Sequence, residues 1–217
     1  YLLSKATLRG KKILVSAGPT YEFIDPVRFI GNHSSGKMGF AIAEEAASRG
    51  ASVTLITGPV HLSTPKQVYR KDVVSAEEMK NAILHYFDDS DVLIMAAAVA
   101  DYKPKVVSDE KIKKKNAKLS LELVKTDDIL KEIVKNKKQQ FVVGFALETN
   151  NEQENAKQKL FHKNLDAIVL TSLNDTGAGF GHDTNKVTII TANEEKTYTL
   201  KSKKEVAVDI LNFIEGC

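Results

Sequence analysis

Apolar residues in this chain fall into short unbroken runs, separated by polar stretches in which hydrophobic positions recur at helical spacing. Ile13-Leu14-Val15-Ser16-Ala17 shows no polar alternation, as expected of a strand buried on both faces. Phe40-Ala41-Ile42-Ala43 and Ala46-Ala47 then mark a helix from about 35 to 49, which Gly50 ends. Val53-Thr54-Leu55-Ile56 follows as a second strand, closed by the turn Thr57-Gly58-Pro59. Strand, helix, glycine and strand in that order predict an α/β fold, a Rossmann-like doubly wound and mostly parallel sheet.

The rest of the pattern agrees. Val68 and Tyr69 suit a short strand, and Met79, Ile83 and Phe87 share one face of a helix over 76–88. Residues 92–99, VLIMAAAV, are the most apolar run and predict a central strand. Thr126-Asp127-Asp128 heads a helix to about 135, with acids at the positive end of its dipole and lysines at the other. A strand over 141–146, a helix over 151–162 and a strand over 167–170 come next. Residues 187–190 and 196–200 alternate around Asn193-Glu194-Glu195 and predict a hairpin, before a terminal helix carrying Val206, Ile210, Leu211 and Ile214. Residues 1–11 read as a linker into a single domain over 12–217.

One connection breaks the rhythm. Between the first strand and first helix lies GPTYEFIDPVRFIGNHSSGKMG, residues 18–39, where such connections usually take about 2–6 residues. Tyr21, Phe23, Ile24, Val27, Phe29 and Ile30 are expected to anchor it, which argues against disorder. Ser34 or Ser35 suits the N-cap of the following helix. Gly18, Gly31, Gly36 and Gly39 clear space, so the helix N-terminus with Ser34, Ser35 and Gly36 can receive phosphate or carboxylate oxygens. Gly31 to Lys37 has the spacing of a Walker A loop, but Met38 stands where a magnesium-holding Ser or Thr belongs.

Composition narrows the class. In 217 residues, 42% hydrophobic and 27% charged, no apolar run is long enough to cross a bilayer, so no membrane role is expected. A formal charge of +3 is too mild for a dedicated nucleic-acid binder. Cys217 is the only cysteine, which leaves no internal disulfide and suits a reducing cytoplasm. The chain opens on Tyr1-Leu2-Leu3 without a signal pattern, and is expected to be the C-terminal piece of a longer polypeptide. The histidines have no metal-ligand spacing, and no G-x-S-x-G is present.

Candidate chemistry gathers at strand ends. Asp101 directly follows the central run, and Glu148-Thr149-Asn150-Asn151 follows the 141–146 strand, the position where open α/β sheets bind ligands. Lys103, Lys105, Lys111, Lys113, Lys114, Lys115 and Lys118, with Asn116 among them, crowd the next segment and suit a mobile lid over an anion. GAGFG at 177–181 lacks the dinucleotide spacing.

GPTYEFIDPVRFIGNHSSGKMG at 18–39, AAAVADYKP at 96–104, KIKK at 111–114 and VGFALET at 143–149 together resemble the phosphopantothenoylcysteine synthetase family over nearly the whole chain. The resemblance implies a cytoplasmic homodimeric ligase of coenzyme A biosynthesis, joining 4'-phosphopantothenate to L-cysteine with CTP and Mg2+ through an acyl-cytidylate. It also implies fusion behind a flavin-dependent decarboxylase, with no flavin and no nucleic acid bound by this portion. Asn32 would hold the substrate carboxylate and acyl phosphate, and Lys111 would clamp the triphosphate; these are the implied catalytic pair. Ala97 and Ala98 would pack on the substrate, and Asp101 would face the nucleotide or its metal. Asp128, Ile129 and Leu130 would border the nucleotide, Phe145 would pack on its base or sugar, and Lys159 and Lys163 would add polar contacts.

Thr126-Asp127-Asp128 and Leu170-Thr171-Ser172 depart from the family's usual Asn-Pro-Asp and Ala-Asn-Asp, which leaves CTP against ATP open. An NAD(P)-dependent oxidoreductase and a nucleic-acid module using the lysine-rich segment are the alternatives. The first should show G-x-G-x-x-G where this chain has Ala17-Gly18-Pro19, and the second rests on the lysines alone.

Overall fold

Strand β1 (Lys12–Ala17) lies inside an eight-stranded sheet and alternates its side chains between two helical layers. Ile13, Val15 and Ala17 face one core cluster and Leu14 faces the other. The computed structural model describes residues 6–114, 118–175, 177–179 and 181–217. Residues 1–5 of the expected linker, Lys115 and Asn116 of the lysine-rich segment, and Phe180 of the glycine-rich loop lie outside these.

After β1 come the ribbon strands β2 (Tyr21–Phe23) and β3 (Phe29–Gly31), α1 (Lys37–Ser48), β4 (Ser52–Thr57), β5 (Val68–Asp72), α2 (Ala76–Phe87) and β6 (Val92–Met95). A second ribbon, β7 (Tyr102–Pro104) and β8 (Leu123–Lys125), precedes α3 (Ile129–Asn136), β9 (Phe141–Glu148), α4 (Glu152–His162) and β10 (Ala167–Ser172). The chain closes with β11 (Thr184–Asn185), β12 (Thr188–Ile190), β13 (Glu195–Thr197), β14 (Lys201–Ser202) and α5 (Lys203–Glu215).

The sheet order is β13-β12-β10-β9-β6-β1-β4-β5. Every pairing from β10 to β5 is parallel, whereas β10-β12 and β12-β13 are antiparallel, so the predicted fold class and C-terminal hairpin are both present. From β1 the chain winds outward through β4 and β5, then returns to β6 on the other flank of β1. The order reverses between β1 and β6, and open α/β sheets bind ligands at such a crevice.

Helices α1 and α5 cover one face through Ile42, Ala46, Val206 and Ile210, all buried. The other face carries α2, α3 and α4 through Met79, Ile83, Ile133 and Leu160. Arg49, 6% exposed, ties α1 to α5: its guanidinium reaches Glu45 at 2.8 Å, Asn212 Oδ1 at 2.8 Å and Glu215 at 3.1 Å.

Three details go beyond the pattern. In the stretch expected as a linker, Leu8 alone among residues 6–11 is buried, and its amide donates to Arg49 O at 3.1 Å, so that residue is tied to the core. The 92–99 run leaves the sheet at Met95, because Ala98 N donates to Gly18 O at 2.8 Å and pairs with the segment after β1 instead. Phe23, Val27 and Phe29 do not anchor the first loop. They are exposed, and the loop is a two-stranded ribbon held by buried polar groups.

Candidate active site

Those polar groups are Thr20, Glu22 and Asp25. Thr20 Oγ1 accepts from Ala100 N at 2.9 Å, and Thr126 Oγ1 donates to Ala100 O at 2.6 Å, so the segments leaving β1, β6 and β8 meet at one residue. Glu22 Oε1 accepts the first amide of α2, Ala76 N, at 2.8 Å. Asp25, with no exposed surface, accepts from Val27 N at 2.8 Å, Arg28 N at 2.9 Å and Ile112 N at 3.1 Å, and pairs with Arg28. Burial pushes its pKa up, but those amides and the guanidinium outweigh burial and hold it below the ordinary 3.8.

At the head of α1 the structure departs from the expected cap. Gly36, not Ser34 or Ser35, is the N-cap, with φ 74°, and no side chain caps the helix. Ser34 Oγ accepts from Gly36 N at 3.3 Å, one step short of the first turn. A Cβ on Gly36 would lie 3.0 Å from Val60 Cγ1, so glycine answers both the left-handed backbone and the close packing. The first-turn amides of α1 therefore lack the side-chain oxygen that usually satisfies them.

These amides border a small cavity of about 150 Å³ lined by Ser34, Ser35, Gly36, Lys37, Ala97, Ala98 and Phe145, with Thr171, Asn185 and Lys203 opposite. An open cleft of about 980 Å³ adjoins it across Ala97, Ala98 and Phe145. Its wall gathers Asn32, Asp101, Asp128, Ile129, Leu130, Lys159 and Lys163, from four separate segments of the chain. Gly18 lies beneath Gly36 and does not reach either surface. Lys111 is exposed and outside both linings, next to the Ile112 anchor.

Cations and acids are held differently in this cleft. Lys159 Nζ donates to Phe145 O at 2.8 Å, and burial lowers its pKa against the opposing pull of Glu148 and Asp101. Asp128 Oδ1 caps α3 through Lys131 N at 3.0 Å, and its other oxygen pairs with Lys163. Burial alone raises the Asp128 pKa, but Lys163, the Lys131 amide and Lys159 outweigh it and keep the carboxyl ionised below the usual range. Asn32 Nδ2 donates to Val99 O at 2.9 Å, which fixes the amide on the cleft wall. The Asp101 carboxylate makes no ion pair or side-chain hydrogen bond among the described residues.

Residues 8–217 match the family described as the DNA/pantothenate metabolism flavoprotein C-terminal domain. The chain belongs to this family. It is 48% identical, over 97% of its length, to the coenzyme A biosynthesis bifunctional protein CoaBC of Bacillus subtilis, and covers 52% of that protein. It is 51% identical, over 98% of its length, to a cysteine/cysteine sulfinic acid decarboxylase of an unidentified prokaryote, and covers 60% of it. The chain thus spans little more than half the length of these relatives. A crystal structure of the C-terminal domain of a CoaBC protein superposes with a TM-score of 0.84 at 44% identity, covering 97% of both chains.

Sequence reasoning missed several residues at these two cavities. Thr20, Asp25 and Arg28 frame the cleft, and Asn185 and Lys203 line the small cavity beside it. For Asp25 a signal existed, since Asp25-Pro26 is a turn-initiating pair whose carboxylate bonds backbone amides two and three residues on. Lys203 gave none, because a lysine in a run of lysines reads as solvated. No helix among the described residues is long and apolar enough to cross a membrane, and no cluster of three or more His, Cys, Asp or Glu residues forms a metal site among them.

Proposed function

We propose that this chain ligates 4'-phosphopantothenate to L-cysteine, using CTP to form an acyl-cytidylate. What supports the reading is the assembly, in a member of this family, of Asn32, Asp101, Lys159 and Lys163 around one cleft at the β1/β6 crevice. In the first step a substrate carboxylate oxygen attacks the α-phosphorus, the acyl oxygen–phosphorus bond forms, and the bond to the β-phosphate oxygen breaks, releasing pyrophosphate. In the second, the cysteine amine attacks the acyl carbon, the amide forms, CMP leaves, and the amine proton passes to solvent.

Neither step needs an enzyme nucleophile. Each needs anions held close without mutual repulsion, and preorganised donors on the cleft wall supply that. Asn32 is an uncharged donor suited to a carboxylate beside a phosphate. Lys159 and Lys163 offer positive charge to the nucleotide, and Phe145 offers a face for its base or sugar. Asp128 with Ile129 and Leu130 forms the edge, and Ala97 and Ala98 let the substrate lie against backbone.

Mg2+ fits this donor set as a passenger on the nucleotide, since it commonly binds one or two protein carboxylates and substrate phosphate oxygens while keeping several waters. Asp101 would hold it, and the ion would neutralise charge on the phosphoryl oxygens. Cytoplasmic location, a homodimer, an N-terminal flavin-dependent decarboxylase domain and the absence of flavin and nucleic acid from this portion belong to the same proposal. Exposed Phe23, Phe29, Tyr102 and Leu123 on the adjoining ribbons are the surface we assign to the second copy.

The test is an assay of pyrophosphate release with each nucleoside triphosphate, 4'-phosphopantothenate and cysteine. CTP is expected to support ligation best. Ligation absent with every nucleotide would overturn the reading, and stoichiometric flavin absorbance in the purified chain would reopen the oxidoreductase alternative.

A further inference from the structure

Two helices begin with lysine where they meet the small cavity. Lys37 is the first residue of α1 and Lys203 the first of α5, at the positive ends of both helix dipoles, where acids are normally favoured. Lys203 is only 7% exposed. Its Nζ donates to Gly179 O at 3.1 Å and His182 O at 2.5 Å, and no carboxylate lies within ion-pair distance among the described residues. Burial lowers its pKa, and the nearby Lys37 charge lowers it further. Buried charges are normally paired, so this arrangement lacks a negative partner. Lys37 has one, Asp183 Oδ1 at 2.6 Å, but that carboxylate is 86% exposed and such pairs are weak.

We infer that Lys37 and Lys203, with the amides behind Gly36, form a subsite for a pyrophosphoryl group, and that Asp183 occupies Lys37 until the anion displaces it. The inference rests on the proposed function for its biological ligand, the leaving end of the triphosphate, but its chemistry requires only a diphosphate. The glycine-lysine pair that fails as a Walker A loop thereby acquires a role without a magnesium-binding hydroxyl. Its lysine comes from the helix start, and the second cation comes from a different helix.

A phosphate could also come from 4'-phosphopantothenate, so the test separates the two. Calorimetric titration of the chain with inorganic pyrophosphate, and separately with 4'-phosphopantothenate, is compared across wild type, Lys203→Met, Lys37→Met and Asp183→Asn. Each lysine substitution is expected to weaken pyrophosphate binding about tenfold or more, the usual loss for a charge-assisted hydrogen bond. Asp183→Asn is expected to strengthen it several-fold, and this surface variant serves even if Lys203→Met disturbs folding. Pyrophosphate binding that is absent in wild type, or unchanged in all three variants, overturns the subsite. So does a loss confined to 4'-phosphopantothenate. Wild-type ligation is measured alongside: pyrophosphate binding as expected without ligation would remove the proposed function and leave the subsite standing.

Discussion

Asp25 concentrates the local chemistry of the site's frame, because one buried carboxylate holds the first ribbon's turn and the Ile112 segment together. Its pKa is lower folded than unfolded, so the stabilisation is complete above the unfolded value of 3.8 and is lost as pH falls below it through the folded value. Hydrogen exchange should show this. Asp25→Asn is expected to speed exchange at the Ile112 amide about tenfold or more at neutral pH, with wild type approaching the variant in acid. An unchanged rate would remove Asp25 as the anchor. Lys111, one residue away, lies outside the cleft lining, and the proposed clamp requires it to move in with nucleotide. Lys111→Ala should slow pyrophosphate release about 10²–10³-fold in a protein that melts as wild type does. Near-normal release would make it solvated surface. The sequence hid Thr20 and Lys203 for one reason: polar and charged side chains are read as exposed, and only tertiary contacts show that they are buried and bonded, whereas the Asp25-Pro26 pair signalled a turn but not its burial.

Helix α1 serves both stability and chemistry, and substitutions at its ends should separate the two. At its head, Gly36→Ala puts a Cβ 3.0 Å from Val60 Cγ1 at a positive φ, a cost of about 1–2 kcal/mol. Nucleotide affinity should fall with it, since the amides at this end shift; titration with CTP that gives the wild-type affinity would exclude the helix head from the site. Just past its last turn, Arg49→Met breaks buried contacts to Glu45, Asn212 and Glu215 and should cost about 3 kcal/mol in denaturant unfolding. Turnover of the folded fraction should be retained. Strands and helices were legible here because unbroken apolar runs and helical spacing depend on local sequence. The ribbons were not. Each is only three residues per strand, and exposed Phe23 and Phe29 imitate core anchors.

At the scale of the whole molecule, the reversal of strand order at β1/β6 brings dispersed residues to one cleft. The 18–39 loop and the 96–104 segment leave adjacent strands, which is why Gly18 and Ala98, 80 positions apart, can pair. Sequence pattern predicted the α/β class, while the long motifs carried the candidate residues that line the cleft; the two cavities and the convergence of α1 and α5 depend on packing alone. If the exposed ribbons join two copies, Phe29→Glu should shift sedimentation at micromolar concentration from dimer to monomer, and an unchanged profile would place the interface elsewhere. The most direct test of ligation through nucleotide activation is a rapid-quench single turnover of enzyme, labelled CTP, Mg2+ and 4'-phosphopantothenate without cysteine. About one pyrophosphate per site is expected, with a bound acyl-cytidylate that cysteine converts to product and CMP. Pyrophosphate appearing only after cysteine is added, with no cytidylate at any time, would contradict it.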